Sequence, residues 1–84
     1  MELKDTIEMM TSNDYKERFK AEYWQLKIRI EKLETMLTKY LAGTLPFKPT
    51  CSYGVLAQQL REMQGYLIAL GERALVEGIK LTEE

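Results

Sequence analysis

The chain has 84 residues, of which 45% are hydrophobic and 30% charged. That describes one small domain, neither disordered by composition nor carrying an apolar run long enough to span a bilayer. Twelve basic against thirteen acidic side chains leave a net charge of -1, so any polyanion site must be a local patch. With no histidine and a single cysteine, Cys51, zinc fingers, histidine-based acid–base catalysis and an internal disulfide are set aside, and a reducing compartment fits.

Residues 1–12 carry Glu2, Lys4, Asp5 and Glu8 where a signal peptide needs an apolar core, so export is not expected and a cytoplasmic location is. Leu3, Ile7 and Met10, spaced four and three apart, predict a short amphipathic arm. The first long helix is predicted from Asp14 to Ala42, with Asp14 and Glu17 at capping-box spacing and Tyr15 opening the apolar pattern. Residues 43–52 hold both prolines, Pro46 and Pro49, and form the turn. Gly43 reads as the left-handed stop of the first helix, and Thr50 or Ser52 as the cap of the second. The hairpin is predicted over residues 13–80, followed by a tail at 81–84.

Two heptad-like seams match across that turn. Phe19, Tyr23, Leu26, Ile30, Leu33, Leu37 and Tyr40 step by 4,3,4,3,4,3, while Tyr53, Leu56, Leu60, Met63, Leu67, Leu70 and Ala74 step by 3,4,3,4,3,4. Folding back pairs residues whose numbers sum to 93: Tyr40 with Tyr53, Leu33 with Leu60, Ile30 with Met63, Phe19 with Ala74. The fold class is therefore all-α, a long antiparallel two-helix hairpin with a short N-terminal helical arm. At about 1.5 Å per residue the meshed layers make a rod of roughly 32 Å.

Apolar side chains remain outside the seams. Trp24, Ile28 and Met36 lie on a rotated face of the first helix, and Ile68, Leu75, Val76 and Ile79 on the second, where Ala57, Gly71 and Gly78 share one heptad position. Helical glycine is unfavourable by ~1 kcal/mol against alanine, so its recurrence points to close backbone approach. We expect the hairpin to be a homo-oligomer using Trp24, Ile28, Ile68, Gly71, Leu75 and Gly78, simplest as a dimeric four-helix bundle, with larger rings also compatible.

Chemistry-bearing residues are sparse. Cys51 lies in the turn with no histidine to activate it and reads as a small turn residue. Glu31 with Glu34, and Glu83 with Glu84, sit in no apolar run that would shift their protonation, and read as solvated surface. No Gly-Lys-Ser/Thr phosphate loop is present, and neither a cofactor nor a metal site is expected. The basic residues of the first helix are more suggestive: Lys16, Arg18, Lys20, Lys27, Arg29, Lys32 and Lys39 interleave with Tyr15, Tyr23 and Trp24, and the second helix adds Arg61, Tyr66 and Arg73. Such a mixture can pair phosphates and stack on a base. The alternative is that Lys20, Lys27 and Arg29 flank the seam and pair with Glu17, Glu22, Glu31, Glu34, Glu62, Glu72 or Glu77, as charges beside a helix interface usually do. Tyr15, Trp24 and Tyr66 fall outside the seams and stay open as contact residues.

The run Asp14-Tyr-Lys-Glu-Arg-Phe-Lys-Ala-Glu-Tyr23, with Pro49-Thr-Cys51 after the turn and then Leu60, Met63, Tyr66, Leu67, Leu70, Arg73, Glu77, Gly78 and Ile79, resembles a group of short phage and prophage helical-hairpin proteins over residues 13–80. In helix layout, size and the late arginine, the group is similar to small viral sponge proteins that assemble into oligomers and sequester cyclic-nucleotide or ADP-ribose-type signals of anti-phage immunity. The resemblance implies a non-enzymatic counter-defence protein in the host cytoplasm. A small nucleotide signal would be its partner, with Arg18, Lys20, Lys27 and Arg73 on phosphates and Tyr15, Trp24 or Tyr66 stacking on a base. The competing expectation is an adaptor that binds a host or phage protein through its exposed helix faces.

Overall fold

The computed structural model describes residues 1–81. Glu83, Glu84 and most of the expected tail lie outside them. The described residues are helical, without strands. A 3-10 turn, Leu3–Thr6, runs into α1, Ile7–Met10; two long helices follow, α2, Tyr15–Ala42, and α3, Tyr53–Glu77. At about 1.5 Å per residue α2 is roughly 42 Å long, which accounts for the long axis of the 43 × 24 × 23 Å molecule.

Both long helices begin and end on local signals. Asp14 accepts from the Lys16 amide at 3.0 Å, but the expected reciprocal bond from Glu17 is replaced: Ser12 Oγ accepts from the Asp14 amide at 3.1 Å, and Glu17 pairs with Lys20. Ser52 caps α3 by accepting from the Val55 amide at 3.3 Å. Gly43, at φ 72°, closes α2: its own amide donates to Tyr40 O and that of Thr44 to Lys39 O, the paired bonds that satisfy the last free carbonyls.

The seams mesh in the predicted register. Tyr40 and Tyr53 meet edge to face with centroids 5.6 Å apart. Phe19, Leu26, Ile30, Leu70 and Ala74 form one buried cluster, flanked by half-buried Tyr23, Leu60, Met63 and Leu67. Besides the Asp14 cap, two features depart from expectation. The arm turns its Leu3, Thr6 and Met9 face inward and leaves Ile7 and Met10 exposed. Its first turn is a 3-10 helix with three residues per turn, so positions three apart eclipse and the stripe rotates away from four-three spacing. Thr6 is buried, donating to Leu3 O at 2.7 Å and accepting from Gln25 Nε2 at 2.9 Å.

The second departure is at the chain end. Gly78, at φ 70°, stops α3 in the left-handed region, so its glycine answers a cap and not a close helix approach. The Ile79 amide donates to Ala74 O at 2.8 Å. Ile79 is buried in the core cluster and Leu81 packs against it, while Trp24 Nε1 donates to Leu81 O at 3.1 Å. Ile79 thus belongs to the interior, and Trp24 is half-buried within its own chain. Ile28 is also buried, bordering a depression it shares with Met1 of the arm. Of the residues expected to bind other copies, Ile28 and Gly78 have these other uses. Ile68, Leu75 and Val76 remain exposed.

Candidate ligand-binding site

Where the start of α2 meets the end of α3, the register brings three polar side chains together. Arg73 Nη2 donates to Tyr15 Oη at 2.7 Å, Tyr15 Oη donates to Glu77 Oε1 at 3.0 Å, and Arg73 Nε donates to Glu77 Oε2 at 3.2 Å. The guanidinium carbon sits 5.0 Å from the centroid of the Phe19 ring, so the core itself supports the cation. Arg73 and Glu77 are four apart on one helix and therefore adjacent. Tyr15, at the first helical position after the Asp14 cap, reaches across from the other helix.

The electrostatics of this ring are reciprocal. The Tyr15 phenol is pushed above its ordinary value, first by its hydrogen bond to the Glu77 carboxylate and then by desolvation, against the lowering field of Arg73. The Arg73 guanidinium is held more firmly protonated, chiefly by the hydrogen bond to Glu77. The phenol therefore stays a donor throughout the neutral range. Titration by ultraviolet absorbance, with Tyr15→Phe subtracted to isolate its signal, is expected to place the Tyr15 midpoint above 10.0. In Glu77→Gln the midpoint should fall; an unmoved midpoint would show that the carboxylate does not hold the proton. Because the folded value is raised, the stabilisation is full below the ordinary phenol value and is lost as pH rises through the folded one.

The remaining predicted contact residues divide between other faces. Arg18 Nη1 donates to Ser12 O at 2.8 Å, tying the interhelix segment to α2. Lys20 pairs with Glu17 at 3.5 Å, and Lys27 Nζ lies 5.2 Å from the Trp24 ring centroid. Arg18 and Lys20 are two residues apart, about 200° around the helix, so one chain cannot aim both at one phosphate. Tyr66 donates to Glu22. The structure thus joins Tyr15 with Arg73, and Trp24 with Lys27, while Arg18 is tied to Ser12 and Tyr66 to Glu22, whose charge also acts on Arg73. Glu77 completes the ring although sequence reasoning treated it only as a flanking charge; its four-residue spacing from Arg73 was the available signal.

A model of the Sequestin family matches residues 13–75, taking in α2, the turn and all of α3 but its last residues. The chain belongs to the Sequestin family. No curated protein and no solved structure matches it. The matched span includes Tyr15 and Arg73 of the polar ring, while Glu77 and the Ile79–Leu81 return lie beyond it. No helix among the described residues of this Sequestin-family chain is long and apolar enough to cross a membrane.

Proposed function

We propose that this Sequestin-family protein is a phage counter-defence sponge that captures a small nucleotide signal without chemical turnover, in pockets formed between copies of the chain. The observation that carries the reading is the Tyr15–Arg73–Glu77 ring. An arginine supported by a core aromatic and flanked by a phenol donor offers a phosphate two converging donors. The Glu77 carboxylate occupies the place a phosphoryl group would take, and the ligand displaces it. The family name denotes sequestration, which agrees with tight capture as the whole mechanism.

Assembly supplies what one chain lacks. Ile68 (64% exposed), Leu75 (85%) and Val76 (87%) project from α3, and covering them with a second copy is the means by which a pocket would gather basic side chains from two chains. The same exposed residues favour the second reading, an adaptor whose α3 face docks on a host or phage protein.

Melting curves with cyclic dinucleotides, cyclic trinucleotides and ADP-ribose cyclisation products separate the two. A ligand at 100 times its Kd stabilises the fold by about 2.7 kcal/mol, which raises Tm by about 10 °C or more in a domain of this size. Absence of a shift across the panel, with a host or phage protein co-purifying stoichiometrically, would favour the adaptor.

A further inference from the structure

Away from the Arg73 ring, the arm, α2 and α3 border an open groove of about 400 Å³, within the size range of small-ligand sites. Leu3 of the arm, Met36 of α2 and Met63 of α3 form its apolar walls, and Arg29 and Lys32 stand on its rim. These two cations, three apart, are neighbours on one helix face. Among the described residues neither makes an ion pair with a carboxylate. The groove lining therefore carries two positive charges and no negative one, in a chain whose net charge is -1. In three other depressions the charges offset or are single: Glu34 and Arg61 both line one, Glu31 accompanies Lys32 in another, and the turn cavity holds Lys48 alone.

We infer that this groove is an intrachain binding site for a nucleoside phosphate, separate from the ring at Arg73. Arg29 and Lys32 take the phosphate. The base lies between the Met36 and Met63 thioethers, flexible and polarizable groups that pack well against planar aromatic rings. Gln59, also in the lining, makes one long contact from Nε2 to Met63 Sδ at 3.8 Å, too weak to hold its amide, which is free to meet the edge of a base. A bare inorganic anion would leave the apolar walls unused. Because Leu3 is one wall, occupancy also ties the arm to the hairpin. Arg29 lies fourteen positions along α2 from Tyr15, roughly 20 Å by helical rise, so the two sites can be tested independently.

The test is fluorescence anisotropy of N-methylanthraniloyl-ADP with the full chain, checking helix content of every variant by circular dichroism. Arg29→Ala or Lys32→Ala is expected to weaken binding about tenfold, and the double variant more, by loss of charge-assisted hydrogen bonds. Arg29→Lys with Lys32→Arg restores most of it, Lys48→Ala in the turn cavity leaves it unchanged, and inorganic phosphate competes far more weakly than AMP. Three results would overturn the inference: no saturable binding, equal affinity in the double alanine variant, or equal competition by phosphate and AMP. If binding is lost in Arg73→Ala and kept in the double variant, the ligand sits at the Arg73 ring; the capture reading then survives and this groove site does not.

Discussion

Leu70→Ala is expected to destabilise the fold by about 2–5 kcal/mol, the range for a leucine truncated in a packed interior. Leu70 is 1% exposed and central to the buried cluster with Phe19, Leu26, Ile30 and Ala74. A chain of 84 residues has a total stability on the order of 4–13 kcal/mol, so this one side chain accounts for a large share of it. Urea unfolding followed by helical circular dichroism checks it, with the midpoint falling at unchanged slope. The contrasting variant is Leu75→Ala. Leu75 is 85% exposed, so at concentrations where the protein is monomeric its truncation should change stability by no more than about 0.5 kcal/mol. If both variants moved the midpoint equally, the α2–α3 seam would not be the core.

Arg73→Ala and Glu77→Gln should change ligand capture in opposite directions. Removing the guanidinium takes away the charged donor of the ring and is expected to weaken capture about tenfold to a hundredfold. Glu77→Gln keeps the size and an acceptor but removes the charge that competes with a phosphate for Arg73 and Tyr15. Capture should therefore tighten, by no more than about fivefold because an exposed ion pair is weak. Titration calorimetry with whichever signal raises Tm reads both effects, and native mass measurement confirms that assembly persists. If Glu77→Gln weakened capture as much as Arg73→Ala, the carboxylate would be part of the binding surface and the displacement mechanism would fail. If Arg73→Ala dissolved the assembly, Arg73 would be an assembly residue.

Much of the hairpin was readable because its determinants are local or periodic. Helix stops at Gly43 and starts at Asp14 and Ser52 depend on hydrogen bonds within a few residues of the chain. The pairing of Tyr40 with Tyr53, and of Phe19 with the Arg73–Ala74 turn of α3, follows from seven apolar positions per helix at complementary steps. The arm was misread because a four-three stripe presupposes an α-helix, and its first turn is a 3-10 helix. Ile28 looked like surplus surface because a helix wheel cannot show that the arm, more than fifteen residues earlier, lies back across it. Gly78 and Ile79 were read as a continuing helix face, although one is a left-handed cap and the other the core residue after it.

What the sequence by itself determined is the class of molecule: an all-helical hairpin, its turn, its register, and the absence of histidine chemistry. Those properties come from spacing and composition, which are one-dimensional. The tertiary structure alone decided which charges converge. Arg18, Lys20, Lys27 and Arg73 are equivalent as letters, yet a 100° rotation per residue turns Arg18 away from Lys20, and only the fold-back of α3 sets Arg73 beside Tyr15 and Glu77. Likewise, Arg29 and Lys32 border a groove only because the arm folds over to supply its third wall.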